Sequence, residues 1–276
     1  MKITAADVNK LRKQTGAGMM DCKKALVEAE GDFEAAVDYL RKQGQKIAAK
    51  REDRDATEGV ILSAAAADGK SGAVIVLNCE TDFVAKNEDF IALANKFLTI
   101  ALENKPANVE ALRALPFADG MTIADKIIEQ TGVIGEKLDL SGYAVVEAEC
   151  VVPYIHPGNR LATLVGFNKG GDAVVEAGRQ VAMQVAAMAP IALNKDGVSQ
   201  DAIDRELEVG KELAIQEGKP AEMADKIAQG RLGKFFKENT LLSQPFVRDN
   251  KVTVEQFLNS VESGLTATTF KRYSLG

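Results

Sequence analysis

Residues 73–87 decide the fold: Ala73-Val74-Ile75-Val76-Leu77-Asn78-Cys79-Glu80-Thr81-Asp82-Phe83-Val84-Ala85-Lys86-Asn87. The first five are apolar without polar alternation, which predicts a strand buried on both faces. Asn87 suits the cap of a helix, and Phe90, Leu93, Ala94, Phe97 and Ile100 or Ala101 then line one helical face. Upstream, Val60-Ile61-Leu62 begins another strand and Asp68-Gly69-Lys70-Ser71-Gly72 is turn chemistry. Residues 59–79 therefore read as a β-hairpin leading into a helix.

The same order recurs downstream. Tyr143 to Cys150 alternates Val145, Glu147 and Glu149 against Val146, Ala148 and Cys150, residues 153–160 read as a turn, and Leu161 to Phe167 reads as a strand. A helix holding Val174, Val175, Val181, Val185 and Met188 follows. This is the pattern of an internal duplication, with weak identity between the copies. The first half of the core is placed at 59–140 and the second at 141–276. Between the copies, residues 105–140 hold two short helical patches broken by Pro116 and Gly120. Residues 199–237 read as an antiparallel helical hairpin, capped by Ser199 and turning at Gly218-Lys219-Pro220. Its return helix places Met223, Ile227, Leu232 and Phe235 or Phe236 on an apolar side. A short helix near 254–261 and a last strand near 267–273 close the chain; that strand is a candidate open edge.

Ahead of the hairpin, residues 4–43 read as three short helices. Thr4 with Asp7 resembles a capping box, Gly16 and Gly18 stop the first helix, Gly31 the second, and Gly44 closes the third after Asp32 caps it. Val8 and Leu11 face inward, as do Cys22, Ala25, Leu26 and Ala29 at helical spacing. We assign residues 1–45 to a three-helix module and 46–58 to a charged linker.

The net charge of −6 argues against generic nucleic-acid binding. The basic excess is confined to Arg41–Arg54, which reads as a solvated helix face or linker. Three widely spaced cysteines, Cys22, Cys79 and Cys150, with no C-x-x-C pair, fit a reducing cytoplasm better than a disulfide framework or a zinc site. No apolar run approaches the length of a membrane span.

Catalytic signatures are missing from the sequence. The single histidine, His156, stands in a Pro-Gly turn, and no nucleophile elbow, phosphate loop, dinucleotide fingerprint or acidic metal loop is present. We expect no catalytic residue, no metal, no cofactor and no direct nucleotide binding. The protein is expected to act by binding, not as an enzyme. Two features stand out for that. Met19 and Met20 lie side by side between two helices, where adaptable side chains either pack inward or meet a partner. Thr81-Asp82-Phe83-Val84 follows the buried strand. By pattern alone, Phe83 is either a core anchor beside a turn former or a protruding wedge.

Three separated stretches carry a family resemblance. Lys10-Leu11-Arg12 through Leu26, including Thr15-Gly16-Ala17-Gly18-Met19-Met20-Asp21-Cys22, resembles the N-terminal motif of the elongation factor Ts family. Asn78 to Lys86 resembles its second signature, and Gly230-Arg231-Leu232-Gly233-Lys234-Phe235-Phe236-Lys237-Glu238 through Val247 a third. The resemblance implies an N-terminal module like a ubiquitin-associated domain and a duplicated α+β core with an inserted helical hairpin. It implies the GTPase elongation factor Tu as partner and guanine-nucleotide exchange in translation as function. Leu11, Arg12, Met19 and Met20 would dock on Tu's nucleotide domain. Thr81, Asp82, Phe83 and Val84 would form the wedge that disturbs its magnesium and phosphate site. The turn around His156 would lie toward Tu's third domain. Two other readings compete: an adaptor working through residues 1–55 alone, and an RNA-binding protein using Arg41–Arg54.

Overall fold

Local capping chemistry opens most of the helices. In a computed structural model describing residues 3–118 and 120–276, Thr4 and Asp7 form a full capping box on α1 (Ala5–Thr15). Helix α2 (Met19–Glu28) follows the Gly16–Gly18 loop, and Asp32 caps α3 (Phe33–Lys50). Val8, Leu11, Cys22, Ala25, Leu26 and Ala36 form the small core of this module. The third helix does not end at Gly44. It continues to Lys50 and takes residues 46–50 from the segment expected to be a linker. Helix α7 (Ile123–Ile134) of the core supplies the reason: a Cβ on its Gly132 would stand 2.4 Å from the Gly44 Cα. Glycine inside a helix costs about 1 kcal/mol relative to alanine; here it lets two backbones touch. The module is thereby fastened to the core.

The first sheet joins β1 (Glu58–Ala65), β2 (Ser71–Cys79) and β5 (Asp139–Glu147) in the order β1-β2-β5, all antiparallel. Between β2 and β5 lie α4 (Asp82–Ala85), α5 (Glu88–Asn104), α6 (Val109–Arg113), the two-stranded β3 (Pro116–Ala118) and β4 (Met121–Thr122), and α7. The second sheet joins β6 (Cys150–Ile155), β7 (Leu161–Phe167) and β10 (Ala267–Ser274) in the order β10-β7-β6. Between β7 and β10 lie α8 (Asp172–Met188), the hairpin α9 (Gln200–Gln216) and α10 (Ala221–Asn239), the small β8 (Pro245–Phe246) and β9 (Asp249–Thr253), and α11 (Val254–Val261). Each half is thus a hairpin, a helix, an insertion and a third strand that pairs with the hairpin's second strand.

Tyr143–Glu147 is not the first strand of the second hairpin, as the alternation suggested. It belongs to β5, on β2 of the first sheet, so the boundary between the halves falls near Ala148 and not at 140. The second hairpin's first strand is β6, which runs through Pro153, a residue expected in a turn. Among the described residues only β7 pairs with β6, and an edge strand tolerates a residue without an N–H.

Alternation along the strands builds three layers of contact. Val60, Leu62, Ile75 and Leu77 face α5 with Phe90, Leu93 and Phe97. Ile61, Val74 and Val76 face the other way, onto Val151, Ala162 and Leu164 of the second sheet. Val152, Val165 and Phe167 then face α8 with Val174, Val181 and Val185. The core is helix, sheet, sheet, helix, and β2 is buried throughout. In the inserted hairpin the seam is made by small residues, Gly210 against Ala228, with Ala214, Ala224 and Leu232 buried, while Met223 is exposed and not part of the apolar seam.

Candidate partner-docking site

The end of β2 sets the direction of the Thr81–Val84 segment. Cys79 is buried, and its thiol donates to the Thr81 carbonyl at 3.2 Å. Thr81 has extended backbone and caps α4, its hydroxyl accepting the Val84 N–H at 3.4 Å. Val84 packs on the first core and Ala85 is buried. With both flanks pinned inward, the intervening ring points out: Phe83 is 83 % exposed. Of the two readings the sequence left open, the protruding one is what the fold adopts.

Asp82 pairs with Lys86 at 2.5 Å, one helical turn on. The hydrogen bond from Lys86 is the main reason its carboxyl lies below the usual aspartate range. Both side chains are exposed, so the pair adds little stability. Burial pushes the Cys79 thiol up to about 12, which leaves it protonated and unreactive.

The base of the segment is held by residues far away in sequence. The N–H groups of Glu80 and Thr81 donate to one Glu136 oxygen at 3.2 and 3.0 Å, and the Thr81 hydroxyl donates to the other at 2.7 Å. In return the Lys137 N–H donates to Glu80 at 2.6 Å, and the Arg51 guanidinium meets the same oxygen at 2.6 Å. Burial alone would raise the Glu80 carboxyl; the Lys137 N–H and Arg51 outweigh it and hold it low. The Lys137 ammonium donates to the carbonyls of Glu52 and Arg54 at 2.6 and 2.9 Å.

On the module, Arg12 is exposed, and Met19 and Met20 open α2 with 54 and 73 % exposure. Leu11 differs: it is 0 % exposed, at the centre of the module's core. A helix buries one face, and Leu11 shares that face with Val8. Leu11 therefore holds the module together while Arg12 beside it faces solvent. Val27, not singled out in the sequence, is also exposed.

His156 is an exposed turn residue, its Nδ1 3.0 Å from the Tyr154 hydroxyl. It borders a groove of about 310 Å³ with Leu161, Met183, Phe246 and Val247. The turn is tied to β1: the Ile61 N–H donates to the Asn159 carbonyl at 2.7 Å, and Arg160 pairs with Glu58. Glu58 lies opposite Cys79 in the β1–β2 register, so this turn of the second sheet lies against the end of the first sheet from which the Phe83 segment leaves.

A family model described as elongation factor TS matches residues 80–276, from the base of the Phe83 segment to the last residue. The chain belongs to the elongation factor Ts family. It is 54 % identical over 275 residues to the elongation factor Ts of Christiangramia forsetii, covering 100 % of this chain and 99 % of that protein. To that of Amoebophilus asiaticus it is 55 % identical over 278 residues, with both chains fully covered. To that of Chloroherpeton thalassium it is 43 % identical over 285 residues, covering 100 % and 99 %. These elongation factor Ts relatives extend over the N-terminal module, which lies ahead of the family-model match. Among the described residues no helix is long and apolar enough to cross a membrane, and no group of three or more His, Cys, Asp or Glu side chains is placed to hold a metal.

Sequence reading missed Glu136, Lys137 and Arg51. They lie outside the three motifs, and nothing local distinguishes a carboxylate that grips a distant backbone from one that faces water.

Proposed function

We propose that this protein is a guanine-nucleotide exchange factor that binds elongation factor Tu carrying GDP, disturbs its magnesium and phosphate site, and promotes GDP release during translation elongation in the cytoplasm. Family membership supports the pairing with Tu. The observation that carries the mechanism is Phe83, a large apolar ring almost fully in water on a segment braced at both ends. Leaving such a ring exposed forgoes about 2–3 kcal/mol of burial, and a partner's interior can supply that burial.

The work divides among surfaces. The module of residues 1–45 docks through Arg12 of α1 and Met19 and Met20 of α2, with buried Leu11 holding the two helices together. Thr81 to Val84 form the wedge: Thr81 and Val84 anchor it, Phe83 enters between helices of Tu, and Asp82 presents a carboxylate beside the magnesium site. The His156 turn faces Tu's third domain. The protein itself binds no nucleotide and forms no covalent bond.

Magnitudes limit the wedge. Weakening GDP by ~10⁴ requires roughly 5.5 kcal/mol, and one phenylalanine provides about half of that. The remainder comes from the docked surface. The coupling is reciprocal, so GDP with magnesium weakens this protein's binding as much as this protein weakens theirs.

The test is release of labelled GDP from Tu with substoichiometric amounts of this protein. Faster release with turnover is expected; no change across a concentration series overturns the proposal. The double variant Asp82→Ala, Phe83→Ala should slow exchange far more than it weakens docking. Equal losses in both would reduce the segment to a structural part of the interface.

A further inference from the structure

A wedge has to be mounted on something that does not yield. Phe83 stands on α4, a helix of only four residues, far too short to hold its own direction in water. Its stiffness comes from a junction of three chain segments. These are the end of α3 with its following turn (Arg51, Glu52, Arg54), the entry to the wedge (Glu80, Thr81), and the α7–β5 connection (Glu136, Lys137). Two carboxylates lock the second and third segments reciprocally. Glu136 receives both N–H groups at the wedge entry and the Thr81 hydroxyl, and Glu80 receives the Lys137 N–H. Hydrogen bonds to an ionised acceptor are roughly twice as strong as neutral ones, and Glu80 is mostly shielded from water, with 12 % of its side chain exposed. The first segment joins through Arg51 on Glu80 and through the Lys137 ammonium on the Glu52 and Arg54 carbonyls.

The junction also has an input. Arg51 directly follows Lys50, the last residue of α3, and α3 begins as the third helix of the docking module. Backbone contact between Gly44 and Gly132 keeps α3 in line on α7, whose end leads into Glu136. One continuous helix therefore connects the Met19–Met20 module to the foot of the wedge.

We propose that Glu136 and Arg51 are positioning residues for exchange: Glu136 fixes the aim of Phe83, and Arg51 through Glu80 transmits the docked position of the module to it. The proposal rests on the exchange reading above. Neither residue meets the partner. A loose mount lets Phe83 give way when it meets the partner, so docking is kept while distortion of the nucleotide site is lost. The effect falls on the rate at saturation and not on the concentration that half-saturates.

The experiment measures labelled GDP release from Tu over a full concentration series of the intact protein and its variants. Glu136→Ala is expected to lower the plateau rate about tenfold or more, since misplacement by about 1 Å costs up to ~10²-fold. Its half-saturating concentration should stay within about twofold. Glu136→Gln, which can still accept both N–H groups, should recover most of the plateau. Arg51→Met should lower the plateau about threefold and add nothing on top of Glu136→Ala, because both act through one junction. In the free protein, Glu136→Ala should speed amide hydrogen exchange at Thr81 and Phe83. Wild-type plateaus for both variants, or losses confined to half-saturation, overturn the proposal. If Glu136→Ala does not fold by circular dichroism, the plateau of Arg51→Met decides. Wild-type protein that does not accelerate release overturns the exchange reading and this proposal together; wild-type acceleration beside Phe83→Ala with a wild-type plateau overturns this proposal and leaves exchange standing. A normal Phe83 effect beside normal Glu136 and Arg51 variants overturns this proposal alone.

Discussion

The two halves of the core solve the same problem differently at one place. In each, the second strand of a hairpin must pass to a helix: residues 80–87 do so in the first half and 168–171 in the second. Both passages are tied to the segment just before the third strand of their sheet. In the first, Glu80 and Thr81 are tied to Glu136 and Lys137 ahead of β5. In the second, Asn168 exchanges hydrogen bonds with Gly264 and Thr266 ahead of β10, and Lys169 pairs with Glu262 at 2.8 Å. The tie is a property of the repeated fold. The extra turn of helix with an outward phenylalanine belongs to the first half alone. The second half turns its nearby phenylalanine, Phe167, into the core. A duplicated scaffold thus buries the phenylalanine at one passage and leaves the one at the other in solvent.

This contrast can be broken at its two phenylalanines. Phe167→Ala should cost about 3–5 kcal/mol of stability by leaving a cavity under α8, seen as a large drop in the denaturation midpoint. Phe83→Ala should leave stability within about 0.5 kcal/mol yet slow GDP release from Tu roughly 30- to 150-fold, the equivalent of about 2–3 kcal/mol. Comparable stability losses in the two would contradict the assignment of one ring to the core and the other to a partner.

Smaller effects sharpen it. Gly132→Ala places a methyl against Gly44 and should destabilise by about 1–3 kcal/mol through overpacking, loosening α3 from α7; protection of the α3 amides from hydrogen exchange reports this. Cys79 should resist alkylation in the native protein at mildly alkaline pH, since burial keeps its thiol protonated up to about 12; rapid labelling would mean that the β2 end opens. Asp82 should contribute no pH dependence near neutrality. Its folded carboxyl is lowered by the Lys86 hydrogen bond, so the pairing is complete above the ordinary carboxylate range and is lost only as pH falls through the lowered value. In a pH titration of thermal stability, wild type and Asp82→Asn should therefore keep a small constant offset near neutrality that vanishes as pH falls into acid.

Much of this molecule is legible locally. The β1–β2 hairpin, the α5 stripe from Phe90 to Ala101, the caps at Thr4, Asp32, Asn87 and Ser199, and the hairpin turning at Gly218 all follow from short-range periodicity and capping. Misreadings arose where a distant partner overrides local chemistry. Gly44 reads as a stop until Gly132 is opposite it. Pro153 reads as a turn until β6 proves to be a sheet edge. The alternation from Tyr143 to Cys150 is that of a strand, and it contains no information about which strand it joins.

Sequence by itself determined the α+β class, the three-helix start and the β1–β2 hairpin with its α5 helix, because the elements rest on contacts within a few residues, and its family motifs marked the stretch on which function was to be sought. Only the tertiary structure decided that Phe83 faces water and Leu11 does not, that Tyr143–Glu147 completes the first sheet, and that Glu136 and Arg51 grip the base of the Phe83 segment. Those outcomes depend on burial and hydrogen bonding between segments tens of residues apart, such as Thr81 and Glu136, and such pairings exist only once the chain has closed on itself.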